Sequence, residues 1–440
     1  MAPVRRALSV GYWKEPAAPN VGRERRVCPT GFRRQSTHPG RSGAEIRFSG
    51  AEGPVSQQVS TRLRRSNPSL GMSAQTESCR SRRAKGMNGQ VAIQTVPNDL
   101  MASGKKARYS QRMDDIQQKI AQIFMPHGLR EMDRARKAAM RFVHYTSADT
   151  GLKILHSQEM LLRNSSLMND FSEVRHGFDC LVAAYNGDVG ARLKAALRQV
   201  QEDLPEVLES NFNSQVLDIM NHTYLLSVSE HEGEHEDRFG RLSMWRAYAP
   251  KDGIAFVMKS APFLCESDSL QAFSSPVSYT TQEAFQPTFE EVVTSIESNI
   301  DFLKNMGGNA VHEMLMVAFR FAAQSTKHPA FKEEKEWRVI YTPTILEARG
   351  AMTPRQAERI PTRIMSLNGV PQRVYAIPFR DYPDEGFIGA AVPDLIDRIL
   401  IGPSTDAHMI AQAFVSELQR LDVQDAHLKV TITGVPLRHG

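Results

Sequence analysis

The order of apolar and polar positions divides the chain at about residue 110. Before that point there is no helical or strand period: Arg pairs (Arg5-Arg6, Arg25-Arg26, Arg33-Arg34, Arg64-Arg65, Arg82-Arg83) alternate with Gly, Pro, Ser and Gln. A stretch without an apolar face cannot offset the entropy of ordering its own backbone, so 1–108 reads as a disordered tail. From Ser110 the texture changes. MDDIQQKIAQIF repeats apolar residues at helical intervals and a charged helix continues over 129–140, which makes 109–140 a helical lead-in. RFVHYTS (Arg141 to Ser147) predicts a strand, ADTGLKILHSQ a helix, and MLLRNSSLMNDFSEVRHGF a strand, a polar loop and a helix. Helices over 188–204 and 206–221 lead to the strand Thr223 to Ser229. LSMWRAY predicts a helical turn, Gly253 to Ser260 a strand, 287–326 a long helical region, and EWRVIYT another strand. After a turn at Asn368-Gly369 come RILIGP, a helix from Asp406 to Leu421, and the strand HLKVTIT. Strands and helices mix without regular alternation. That predicts one α+β domain over 141–440, with a mixed, mostly antiparallel sheet and helical insertions near 187–221 and 287–326.

Charge sharpens this division. The net +5 hides an asymmetry: residues 1–110 hold 20 Lys and Arg against 6 Asp and Glu, or +14, and the other 34 basic and 43 acidic residues leave −9. An acidic body lacks the clustered Lys and Arg that a general nucleic-acid cradle needs. The basic tail leaves two alternatives open, a dispensable extension and a nucleic-acid contact. Cys28, Cys79, Cys180 and Cys265 form no CxxC or dense framework, which suits a reducing, cytoplasmic setting. The longest apolar stretch, from His312, is amphipathic and interrupted by Arg320, so no membrane partner is expected.

Candidate chemistry starts at FKEEKEWRVI (Phe331 to Ile340). In a strand, Glu334, Glu336 and Arg338 would line one face and Trp337, Val339 and Tyr341 the other. The plain interpretation is a charged lip on a sheet edge in which Arg338 neutralises Glu336. HEGEH (His231 to His235) matches the zincin pattern, but Gly233 and the surrounding acidic residues favour a solvated loop over a helix with two histidines on one face; a zinc hydrolase is a remote alternative. Asn169, Asp170 and Glu173 in MNDFSE fit either a helix cap or a site. Trp245 and Tyr248, three apart, fit either core packing or a flat binding wall. P-loop, dinucleotide-fold and nucleophile-elbow signatures are absent from the body.

Taken in order, HYTS, GLKIL, MNDFSE, a strand ending LSVS, MW-x-x-Y, E-x-E-W-R, I-x-I-G-P and VPLR resemble an uncharacterised bacterial family, the domain-of-unknown-function family numbered 2971, over about 141–438. More distantly, a first-strand His followed by Thr and Ser and a late E-x-E is similar to the ADP-ribosyltransferases. That resemblance implies NAD as co-substrate. His144 would donate to a ribose hydroxyl, with Tyr145, Thr146, Asn169 and Asp170 beside it, and Trp245 or Tyr248 would form the wall under the nicotinamide. Ser227 or Ser229 is the alternative for that middle position. Glu336 would stabilise the positive charge that develops on the sugar, and Glu334 would orient or deprotonate an acceptor, whether protein, nucleic acid or small molecule. Against this enzyme, for which an effector or defence role would fit, stands a non-catalytic binding module that uses the same pocket with Glu334 and Glu336 as structural residues.

Overall fold

The computed structural model describes residues 115–436, apart from breaks at 169–171, 250, 349, 351 and 368. The Arg-rich stretch 1–108, Asn169, Asp170 and Asn368 lie outside the described residues.

The α+β architecture expected from the sequence is present. Ten strands form one sheet in the order β12-β11-β4-β1-β3-β2-β10-β9, with β8 against β3 and β5 against β8. The central strands are β1 (Arg141–Ser147), β2 (Glu159–Asn164), β3 (Tyr224–His231), β4 (Gly253–Lys259), β5 (Phe273–Pro276) and β8 (Glu336–Tyr341). β9 (Thr362–Leu367) and β10 (Val370–Pro378) form a hairpin at one end, and β11 (Ile396–Ile401) and β12 (Val430–Ile432) close the other. All pairings in this sheet are antiparallel except β11 with β12. The short β6 (Ser278–Tyr279) and β7 (Thr326–Lys327) make a separate parallel pair.

The period-two pattern explains which face is buried where. On β8, Trp337, Val339 and Tyr341 enter the same apolar cluster as Phe142, Leu226, Val228, Phe256 and Met258. A second cluster belongs to the helices, chiefly α3 (Ser172–Tyr185), α4 (Asp188–Val200), α5 (Leu204–Asn221), α8 (Gln282–Glu297), α9 (Ile300–Met306) and α10 (Gly308–Gln324). The long helical region over 287–326 is thus three helices, separated where Ser298-Asn299 and Gly307 interrupt the pattern. The close approach of α3 to α10 depends on Gly177, where a Cβ would come within 1.9 Å of the Ala323 carbonyl oxygen.

Of the remaining helices, α1 is Pro126–Lys137, α2 is Ala148–Ser157, α6 is Gly233–Phe239 and α7 is Leu242–Tyr248. α2 starts because the Ser147 side chain caps the Thr150 N–H, and it stops at Gln158, which turns with φ +50°.

One irregularity in the sheet makes room for a site. β8 runs along one edge of β3 over Tyr224 to Ser229. The opposite edge is shared: β1 pairs with Ser229, Glu230 and His231, and β2 pairs with Tyr224 and Leu225. Between them Leu226, Ser227 and Val228 have no strand partner on that edge. Backbone groups left unpaired inside a sheet need another partner or a cavity.

Candidate functional site

A cavity of about 180 Å³ opens at this fork. β1 lines it with Val143, His144 and Tyr145, β2 with Leu161 and Arg163, and β3 with Leu225 to Ser229. Met244, Tyr248, Lys327, Glu334 and Glu336 complete the wall. His144 from an early strand and Glu336 from a late one, 192 positions apart in the numbering, therefore line one cavity.

The imidazole supplies the missing strand partner. His144 Nδ1 lies 3.1 Å from the Ser227 carbonyl oxygen, in the unpaired stretch of β3. A carbonyl only accepts, so Nδ1 carries the proton and donates, and Nε2 keeps its lone pair. Burial lowers the His144 pKa, against the smaller opposing effect of the Ser227 bond, and keeps the ring neutral. The ring thus offers an acceptor, where the sequence reading had it donating to a ribose hydroxyl.

The carboxylates differ from the charged lip expected of them. β8 is flanked by β3 and β5, so Glu336 is at no edge, and it is 5% exposed. Its Oε1 accepts from Ser227 Oγ at 2.6 Å and from Arg338 Nε at 3.0 Å. Its Oε2 accepts from Arg338 Nη2 and from Lys327 Nζ, each at 3.2 Å. Burial alone would raise this carboxyl, but the charges of Arg338 and Lys327 and the bonds from Arg338 and Ser227 hold it down at about 2. Arg338 is itself fully buried and donates to the Gln324 carbonyl at the end of α10, which ties the sheet to the helices. The Glu336 N–H donates to the Tyr279 hydroxyl at 2.7 Å.

Glu334 is not on the strand. It ends a 3-10 turn (Pro329–Glu334), and Lys335, at φ +45°, redirects the chain into β8. Its Oε2 accepts from Lys327 Nζ at 2.5 Å and its Oε1 from the Tyr248 hydroxyl at 2.8 Å. Lys327 therefore bridges both carboxylates.

The other residues expected at the site separate into two groups. Tyr145 lines the cavity; its hydroxyl accepts from the Arg241 N–H at 2.8 Å, and burial pushes its pKa up to about 12. Tyr248 lines it as well and is the aromatic of α7 that a ligand can reach. Trp245 does not line it: the indole is fully buried, meets the Tyr145 ring edge-on at 4.8 Å and donates to the Phe239 carbonyl at 2.8 Å. Thr146 pairs with Ile254 of β4 and is not in the lining. Ser227 and Ser229 both line the cavity, Ser227 as a partner of Glu336.

HEGEH is not one loop. His231 ends β3 and is buried with Nε2 2.8 Å from Asp237 Oδ1, whereas His235 is exposed on α6. A strand-to-helix boundary separates the two rings, so they do not share a helical face. Among the described residues no group of three or more His, Cys, Asp or Glu is arranged to hold a metal.

Sequence reasoning missed Lys327 and Arg163. Lys327 follows a helix end in STKHP, a context that reads as surface. Arg163 carried a usable signal, since in MLLRN the alternation that buries Met160 and Leu162 in the core also turns Leu161 and Arg163 to the other face.

Residues 244–339 match a family model described as a protein of unknown function (DUF2971). The match takes in most of α7, β4, the helices α8 to α10, Lys327, both carboxylates and most of β8. It is shorter than the 141–438 span of the resemblance. No curated protein and no solved structure matches the chain. Among the described residues no helix is long and apolar enough to cross a membrane.

Proposed function

We propose that this cavity takes the nicotinamide–ribose end of NAD and that the bond between the two is cleaved there, passing ADP-ribose to water or to an acceptor. The supporting observation is the convergence of His144, Tyr248, Glu334 and Glu336 on one cavity. Cleavage leaves positive charge on the ribose carbon, and a fixed carboxylate stabilises that charge more in the transition state than in the ground state. Glu336, held down at about 2, stays ionised across the useful pH range and so acts electrostatically, not as a proton carrier. Glu334, at the rim with Tyr248, is placed to orient the attacking group. His144 Nε2 accepts from a sugar hydroxyl.

A second reading has its own support. Glu336 has both oxygens engaged by Arg338, Lys327 and Ser227, the pattern of a structural ion pair. The pocket would then bind a ligand without turning it over.

Chromatography of NAD incubated with the protein separates the two. The enzyme reading expects nicotinamide in an amount equal to free plus acceptor-bound ADP-ribose, and a loss of about 100-fold or more in rate for Glu334→Gln. Binding of NAD with no nicotinamide released supports the second reading, and neither binding nor release removes NAD as the ligand and the enzyme reading with it.

A further inference from the structure

Arg163 is the cavity residue whose charge nothing in the wall answers. It lies on β2 between Val374 of β10 and Leu225 of β3, and its guanidinium turns to the cavity side of the sheet. Nη2 donates to the Leu167 carbonyl at 3.1 Å, a neutral acceptor. Nε is buried without any hydrogen-bond partner. No carboxylate among the described residues forms an ion pair with it. Lys327 bonds Glu334 and Glu336 across the wall, and neither carboxylate reaches Arg163, whose bond goes to the neutral Leu167 carbonyl.

A half-buried guanidinium without a counter-charge loses hydration that one bond to a neutral carbonyl only partly replaces, and the lowering of its pKa by burial has the same origin. Arg presents a planar fork of donors that suits the oxygens of a phosphate. The spacing fits a phosphorylated sugar. Arg163 pairs with Leu225 and Glu336 with Ser229, on opposite edges of β3, so their backbones are offset by four residues, or about 13 Å at strand rise. Both side chains line the same cavity. A sugar carbon near Glu336 then leaves its 5′-phosphate on the Arg163 side.

We infer that Arg163 is the anion-recognition residue of the cavity and pairs with a phosphate oxygen of a phosphorylated nucleoside or sugar ligand. The orientation rests on the reading of Glu336 given above, whereas the anion site itself does not.

Calorimetric titration of the full chain with inorganic pyrophosphate, on wild type, Arg163→Lys and Arg163→Gln, tests it. The Arg-rich stretch 1–108 is common to all three, so its own anion binding cancels in the comparison. The expected result is at least tenfold weaker binding in Arg163→Gln, an intermediate loss in Arg163→Lys, and a thermal midpoint for Arg163→Gln no lower than wild type, since an uncompensated charge has been removed. Equal binding by wild type and Arg163→Gln overturns the inference, as does a lowered midpoint with unchanged binding, which would mark a structural arginine. If pyrophosphate binds through Arg163 but NAD is not cleaved, the anion site stands and the NAD reading falls. If NAD is cleaved with the same KM by Arg163→Gln, the reverse holds.

Discussion

Glu336→Ala is expected to lower the folding stability by about 3–5 kcal/mol at pH 7, because it strips a buried guanidinium and a buried ammonium of their shared counter-charge. Arg338 is fully buried and Lys327 nearly so, and among the described residues Glu336 bonds both of them. The effect has a pH signature. The folded Glu336 carboxyl is depressed to about 2 from an ordinary value near 4.5, so its contribution is fully present above about pH 4.5 and is lost as the pH falls toward 2. The shift corresponds to about 3 kcal/mol. Urea denaturation of wild type and Glu336→Ala at pH 7, 4.5 and 3 should show the gap nearly unchanged between the first two and narrower at the third. A gap independent of pH would mean that the ion pair is not what holds β8 against α10.

Trp245→Ala is expected to cost about 3–5 kcal/mol, the range for removing a large aromatic from a packed interior. The indole is enclosed on several sides. A Cβ at Gly402 would stand 2.7 Å from its Cζ3 and one at Gly240 2.7 Å from its Nε1, so both glycines are small because the ring is there. The same ring supports Tyr145 edge-on, and Met244 and Tyr248 of the same helix line the cavity. Truncation should therefore lower the thermal midpoint and, in the surviving folded fraction, weaken ligand binding. Trp245→Phe should recover most of the stability without the bond to the Phe239 carbonyl. A midpoint unchanged by Trp245→Ala would contradict the packing described.

The strand and helix pattern was largely legible in the sequence because each element carries its own periodicity: RFVHYTS coincides with β1, and Trp337, Val339 and Tyr341 face the core as alternation requires. What the pattern could not show was pairing. That β1 and β2 divide one edge of β3, and so leave Leu226, Ser227 and Val228 open, depends on contacts between residues far apart in the chain. Glu336 looked like surface charge for the same reason, since local spacing contains no information on what stands on either side of a strand. Trp245 and Tyr248 share a helical face in the sequence, yet one fills the core and the other reaches the cavity rim. Lys327 had no local signature, because Glu334 and Glu336, which it bonds, come from the turn and the strand that follow it.

The matched family region, 244–339, supplies the carboxylates, Lys327 and Tyr248, while His144, Ser227 and Arg163 come from the preceding part of the chain. The site is assembled from both. Its central claim is that a nucleotide lies in the fork of β1, β2 and β3, between an imidazole and a buried carboxylate. Crystals grown with saturating NAD or ADP-ribose examine that directly. The account predicts electron density for a ribose within hydrogen-bonding distance of His144 Nε2, with the sugar carbon toward Glu336. Density for the nucleotide at any other surface, with the fork empty, would contradict it.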